Sequence, residues 1–402
     1  MFLPLSKREF LGSRFNPRPG MVRALIYFDH NATSPLCAAA RDAWLTACER
    51  FPANPASPHR LGARAETALE NARQSAAEFL ECSPLDIVWT SGATEANNAL
   101  FHHIALDASA EVWVSAIEHP SVLEAARRSC HSRLKIIPVT HNGVVDLDWI
   151  ESNLKRSRPS LIAVMAANNE TGVVQPWKEI LALCCKYDVP FACDAAQWIG
   201  KLPARGLGQC DFVTGCAHKF GGPVGIGFMK VPPQFKPFIV GGGQEDGRRA
   251  GTQNVAGTLA MMAAWQLRER QLASGETKQR ESWRDAFIAD VQRVLPEFEV
   301  LGANAPRLWN TVSALMPAME DCRRRWVVRL DKSGFAVSTG SACASGKEKP
   351  SHVVTAMGLS SEGDRMLRFS SGWETSRDDW HALAAAVISV THAQGFPTSL
   401  TP

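Results

Sequence analysis

The chain has no CxxC pair and no histidine-rich cluster, so a zinc or iron–sulfur site of ordinary ligand spacing is not expected. It also lacks an excess of charge. With 43 basic and 40 acidic residues, a net charge of +3 gives no field strong enough to argue for nucleic acid or a membrane surface as partner. No run approaches the ~20 apolar residues that a membrane span needs. The first twenty residues, MFLPLSKREFLGSRFNPRPG, scatter Lys7, Arg8 and Arg14 among apolar residues and have no sustained apolar core, unlike a secretory signal. They read as a loose extension, an over-long start before Met21. Internal repeats and low-complexity tracts are absent as well. The eleven cysteines are an odd number without paired spacing, and Cys184 and Cys185 fall in the helix-like run ILALCCKYD as core filler. Such usage fits a reduced, cytoplasmic protein.

What is present is an ordinary globular composition, 45% hydrophobic and 21% charged, on a chain of 402 residues that is too long for one simple core. From about residue 85 to 231, seven short β-rich runs (DIVWTS, EVWVSAI, LKIIPV, LIAVMAA, VPFACDA, DFVTGC and VGIGFMKV) alternate with helical patterns such as ATEANNALFHHIAL, PSVLEAARRSC, DLDWIESNLKR and PWKEILALCCKYD. This alternation predicts an α/β fold with a mostly parallel sheet covered by helices on both faces. After NVAGTLAMMAAWQLRERQLA, the polar stretch SGETKQRES reads as a break before the helical WRDAFIADVQRVL, with a domain boundary near residues 260 to 280. The organisation expected is an extension (1–24), a large domain (25–265), whose first residues could pack on its neighbour, and a small α+β domain (266–402).

In open α/β sheets, ligands bind at the carboxyl ends of the strands. Here polar residues follow nearly every strand. Thr94, His119, Asn169, Asp194 and Lys219 are spaced by 25, 50, 25 and 25 residues, the length of a strand, a helix and two short loops. The regular interval converges these side chains on one end of the sheet. SGATEANN opens a helix suited to an anion such as a phosphate, because Gly92 and Ala93 allow close backbone approach and Thr94 adds a hydroxyl. Alone, Thr94 reads as a simple cap, Lys219 as a solvated charge, His119 as a cap of the helix at Pro120, and Asp194 as a strand-end carboxylate. Together, a lysine that can bind a carbonyl, a carboxylate for a pyridinium nitrogen and a phosphate cradle are the parts of a pyridoxal-phosphate enzyme.

YFDHNATSP, TSGATEANN, SAIEHPSV, ANNETGVVQP, CDAAQWIGK, AHKFGGPVGIG, GGGQEDGRRAGTQN and STGSACASGKEKPSHVV occur in this order over residues 27 to about 375. This set resembles the cysteine desulfurases, the NifS-like branch of the class V aminotransferase-fold enzymes. The resemblance implies the pyridoxal-phosphate (PLP) transferase fold of type I, with a seven-stranded sheet, acting as a homodimer. It implies that Lys219 binds the cofactor and shuttles the substrate α-proton, that Asp194 pairs with the ring nitrogen, that Gln197 bonds the phenolic oxygen, and that His119 stacks on the ring and serves in acid–base steps. It further implies that Ala93, Thr94, Cys216, His218 and, from the partner subunit, Thr252 surround the phosphate, and that Asn169 and Arg368 position the amino acid. Arg365 is the rival candidate for the last role.

Cys343 sits among Ser341, Ala342, Ala344, Ser345 and Gly346, too small to pack around a structural cysteine. The resemblance makes it the nucleophile that takes sulfur from L-cysteine as a persulfide, leaving L-alanine, on a segment with Gly340 and Gly346 that can move. A sulfur-acceptor protein is then implied, for an iron–sulfur cluster scaffold, tRNA thiolation or another thio-cofactor. Three positions depart from the pattern. Cys216 stands where a serine or threonine is usual, which predicts weaker cofactor binding; Asp246 and Trp373 stand where basic residues are common, which bears on partner docking or the electrostatics of the entrance. The rival readings are a selenocysteine lyase or an aminotransferase of the same fold, and a non-catalytic paralogue serving as a binding scaffold.

Overall fold

The computed structural model describes residues 14–15, 25–107, 110–319, 321–340 and 351–392. The seven β-rich runs form strands β1 (Ile87–Thr90), β2 (Val112–Ser115), β3 (Leu134–Ile137), β4 (Leu161–Ala163), β5 (Phe191–Asp194), β6 (Phe212–Cys216) and β7 (Gly227–Lys230). They make one sheet in the order β1-β7-β6-β5-β4-β2-β3. The run from β6 to β3 is parallel, whereas β7 is antiparallel to both its neighbours. Strands β1, β2, β4, β5 and β6 are buried along their whole length, as near-continuous apolar runs require, whereas β7 opens at Lys230 and the edge strand β3 is partly open.

Helices α1 (Ala38–Arg50), α2 (Arg60–Leu80), α3 (Ala93–Asp107), α4 (Pro120–Cys130), α5 (Leu147–Leu154), α6 (Trp177–Tyr187) and α7 (Val255–Ala273) cover the sheet. Successive strand residues point to opposite faces. Trp89, Trp113 and Phe228 therefore pack with Leu69, Ala76 and Trp265 on one side, while Val88, Val114 and Met229 pack with Leu100, Phe101 and Val122 on the other. Trp265 of α7 stacks on Phe228 at 5.1 Å between ring centroids.

A second, antiparallel sheet joins Glu299–Val300, Thr311–Leu315 and Met366–Ser370. It packs against α8 (Glu276–Val294) and the helices Cys322–Lys332 and Arg377–His392 through Phe287, Trp326, Phe369 and Trp380. Phe28 belongs to this second core, and Leu25–Tyr27 pairs in parallel with Phe335–Ala336, so the first described residues travel to the C-terminal third.

The stretch SGETKQRES is not a linker. Ser274 and Gly275, the latter at φ +80°, make the whole turn between α7 and α8, and helix begins at Glu276. Glu, Lys, Gln and Arg are good helix formers, and Arg280 pairs with Glu276 one turn earlier at 3.5 Å. The polar run is the solvated first part of α8. Residues 265 and 266 both lie inside α7.

Candidate functional site

The carboxyl ends of β1, β2, β4, β5 and β6 open on a cavity of about 330 Å³ lined by Ala93, Thr94, His119, Asn169, Asp194, Gln197, Cys216, His218 and Lys219. The Lys219 amine donates to the backbone carbonyls of Asn31 at 2.7 Å and Ala32 at 2.8 Å. Burial holds that amine below the ordinary lysine range. Asp194 receives the Ala196 N–H on one oxygen at 2.9 Å and Asn97 Nδ2 on the other at 3.0 Å. Asn97 is oriented in turn by Thr214, whose hydroxyl donates to its Oδ1 at 2.8 Å.

His119 caps α4, with Pro120 at the first helical position. Its Nδ1 accepts the Ser121 N–H at 3.1 Å and lies 2.8 Å from the Ser121 hydroxyl. Burial lowers the imidazole pKa. A neutral ring whose Nδ1 accepts carries its proton on Nε2. Ser121 Oγ also receives Asn97 Nδ2 at 2.9 Å, so one amide ties His119 to Asp194.

The candidate anion cradle is the start of α3. Gly92, at φ +154°, has no heavy atom within 4 Å of where a Cβ would stand, which leaves the backbone open to close approach. Glu95 is turned aside to the Ser91 N–H and to Arg249, both contacts at 2.8–2.9 Å. His218 lies 3.2 Å from the Thr33 hydroxyl, and burial lowers its pKa to about 4, so the ring is neutral at pH 7. Burial pushes the Cys216 thiol up to about 11, although the Ala93 N–H points at it. It stays a thiol at neutral pH.

The aminotransferase class-V family model matches residues 26–383. The chain belongs to this family. It is 33% identical over 368 residues to the cysteine desulfurase IscS of Dictyoglomus turgidum, covering 88% of this chain and 91% of that one. Its fold is similar to the X-ray structure of a NifS-like protein from Rickettsia africae, with a TM-score of 0.82 and 29% identity over 92% of this chain and 99% of that one. It is also similar to SspA in complex with cysteine, with a TM-score of 0.72 and 28% identity over 86% of this chain and 98% of that one. These likenesses make the chain a NifS-like member with the type I fold of PLP enzymes.

Class-V enzymes use PLP, and the donor set here fits it. There is a buried amine for its aldehyde, a carboxylate for its ring nitrogen, an amide for its phenolic oxygen, and a helix N-terminus with Thr94 and His218 for its phosphate.

The remaining residues fall outside the cavity lining. Arg368 is buried beside it, donating through Nη1 to the carbonyls of Asn169 at 2.9 Å and Gly340 at 3.1 Å, and through Nη2 to Asp29. Its rival Arg365 is turned away to Met316 O at 2.7 Å and to Glu362. Thr252 is exposed on the loop before α7 and does not line the cavity of its own chain. Cys343 lies outside the described residues, between Gly340 and Ser351, whose hydroxyl donates to Glu170 at 2.5 Å. Asp246 is exposed and pairs with Arg248 at 3.2 Å. Trp373, expected to bear on docking or the entrance, is interior instead: it is 6% exposed and donates to Gly200 O at 2.7 Å.

Sequence reasoning missed Asn31, Asn97 and Lys201. Asn31 accepts Lys219 and Gln197 on its carbonyl and donates through Nδ2 to Asn169 O at 3.2 Å and the Thr311 hydroxyl at 2.9 Å. It therefore joins the cavity to the second sheet. In the sequence it is one polar residue among others in HNATSP, with nothing to set it apart.

Proposed function

We propose that the protein is a PLP-dependent cysteine desulfurase that converts L-cysteine to L-alanine and passes the sulfur, as a persulfide on Cys343, to an acceptor protein. The observation that carries this reading is the convergence of Lys219, Asp194, Gln197 and the start of α3 on one cavity in a chain of this family. Bound PLP supplies an electron sink for the pair released at the substrate carbon.

The chain's own groups do the rest. Lys219 holds the cofactor, and its depressed amine can take and return the substrate α-proton. Asp194, kept in place by Asn97 and the Ala196 N–H, holds the proton of the ring nitrogen. His119, neutral with its proton on Nε2, would pack against the cofactor ring and offer a donor there. Arg368 and Asn169 orient the substrate carboxylate. The Cys343 thiolate attacks the substrate sulfur: the new S–S bond forms as the Cβ–S bond breaks, the electron pair stays with the carbon fragment, and that fragment takes up a proton and leaves as alanine.

The reading includes a cytoplasmic homodimer in which Thr252 reaches the partner's phosphate cradle. In the described part of the chain, no helix is long and apolar enough to cross a membrane. The test is a sulfide and alanine assay with L-cysteine and a reductant. Wild type should yield both products, Lys219→Ala neither, and Cys343→Ser neither. Alanine formation that survives Cys343→Ser with selenocysteine as substrate would favour a selenocysteine lyase, and wild type that neither binds PLP nor releases alanine would favour a scaffold.

A further inference from the structure

Lys201 is a buried lysine that none of the roles above uses. It is 3% exposed, and among the described residues its amine meets no carboxylate. It donates instead to two amide oxygens, Asn31 Oδ1 at 3.0 Å and Gln197 Oε1. Burying an amine without a counter-charge is costly. Burial, with Lys219 and Arg368 adding to it, holds this one well below the ordinary lysine range. In either protonation state the amine has hydrogens for both of the oxygens it meets.

The inward aim of the side chain is built into the backbone. Gly200, at φ +73°, could not carry a side chain, because its Cβ would stand 2.4 Å from Phe220 Cβ. The Gly200 carbonyl accepts the Trp373 indole N–H at 2.7 Å, and the Lys201 carbonyl accepts that of Trp309 at 2.8 Å. The two indoles pack edge to face at 4.9 Å. Both therefore fix the peptide that carries Lys201, and Trp373 is one of the positions where this chain departs from the pattern it resembles.

A primary amide at the cavity wall can present either its oxygen or its nitrogen. The Lys201 amine gives its hydrogens to Asn31 Oδ1 and to the Gln197 oxygen, which holds that oxygen away from the cavity. Asn31 O can only accept, and it takes one Nε2 hydrogen at 2.9 Å. The second Nε2 hydrogen is what remains for the cavity. We propose that Lys201 is a positioning residue: it locks the Gln197 amide so that an N–H, never the C=O, meets the phenolic oxygen of the cofactor. The same Asn31 carbonyl receives Lys219, so one oxygen registers the amide donor against the amine that binds the ring.

The proposal rests on the PLP reading above, and its test separates the two. A donor to the phenolic oxygen drains its charge and weakens its hold on the neighbouring proton, so losing the donor raises the pH midpoint of the visible absorbance band of the PLP-loaded protein. The midpoint is read for wild type, Lys201→Met, Gln197→Leu and the double variant, with the melting temperature of each cofactor-free protein as the fold control. The other titratable or charged groups around Lys201 are Lys219, Arg368, Cys216, His218 and His30, and all of them are unchanged in this set. Lys201→Met is expected to raise the midpoint by about one unit, roughly tenfold in proton affinity. Gln197→Leu should do the same, and the double variant no more than either. If the Met variant does not fold, Lys201→Gln, which keeps a donor for Gln197, should stay within a few tenths of the wild-type midpoint. A wild-type midpoint in Lys201→Met, additive shifts in the double variant, or a full one-unit shift in Lys201→Gln would overturn the positioning role. Wild-type protein that shows no visible band with added PLP would overturn the cofactor reading itself, and this inference with it.

Discussion

The guanidinium of Arg368 meets the carboxylate of Asp29 at 2.7 Å, and both come from segments that the second core holds next to the cavity. Arg368 is 3% exposed, and its Nε has no partner among the described residues. A buried arginine with one nitrogen unspent and its charge already balanced can accept a second carboxylate without being left unpaired in the ligand-free protein. Lysine, a single point charge, cannot hold Asp29, two carbonyls and a ligand at once. Arg368→Lys should therefore raise KM for cysteine about tenfold or more with a smaller change in kcat, measured by steady-state alanine release. Asp29→Asn should lower the stability of the cofactor-free protein by about 3 kcal/mol, because it strands a buried charge. A wild-type KM in Arg368→Lys would remove this arginine from substrate binding.

His30 gives the fold an acid limit. It is fully buried beside Gly372, whose Cβ would stand 2.2 Å from the ring, and burial lowers its pKa from 6.5 to about 3. The folded state keeps this ring neutral while the unfolded chain protonates it. The stability it contributes is complete above pH 6.5 and is lost as pH falls toward about 3. Between pH 7 and pH 5 that loss is about 2 kcal/mol. His30→Gln should flatten the slope of denaturation midpoint against pH over this interval, whatever it does to stability at pH 7. An unchanged slope would show that other groups set the acid limit.

Much of this was legible in the chain. The strands and α4 fall where their patterns predict, because strand ends in an open sheet carry the ligands and the spacing of Thr94, His119, Asn169, Asp194 and Lys219 follows from unit length. The groups that orient those residues were not legible. Asn97 lies inside α3, where an asparagine reads as surface, and Asn31 comes before the sheet begins. Lys201 looks like any lysine until Gly200 and two distant indoles turn it inward. The SGETKQRES stretch was ambiguous because a polar run can be loop or solvated helix, and only the turn at Ser274 and Gly275 decides which.

Cys216 bears on cofactor affinity. Its thiol, held up to about 11, stays protonated at neutral pH, yet it is a poor hydrogen-bond donor at the edge of the α3 cradle. Cys216→Ser puts a hydroxyl in nearly the same volume. The gain of one hydrogen bond, about 1 kcal/mol, corresponds to roughly fivefold tighter binding of PLP by the cofactor-free protein. Absorbance titration of that protein measures it. Equal or weaker binding in the serine variant would mean that the buried site cannot satisfy a hydroxyl, and that cysteine is the better fit.

Asn97 is where the chemistry of Asp194 and His119 is joined. Its two Nδ2 hydrogens go to Asp194 at 3.0 Å and Ser121 at 2.9 Å, and the Thr214 hydroxyl decides which end of the amide faces them. Two variants separate volume from direction. Asn97→Ala removes a hydrogen bond to a charged acceptor, worth about 1.5–3 kcal/mol, so cofactor affinity should fall roughly 10- to 100-fold. Thr214→Val preserves the volume but takes the donor from Asn97 Oδ1, so the amide is held less firmly against the Asp194 carboxylate. It should lower affinity in the same direction by less than Asn97→Ala, and the buried oxygen left without a donor should cost the cofactor-free protein about 1–3 kcal/mol of stability. If Thr214→Val binds PLP like wild type, Asp194 does not depend on this amide for its orientation, and the link from ring nitrogen to His119 is only packing.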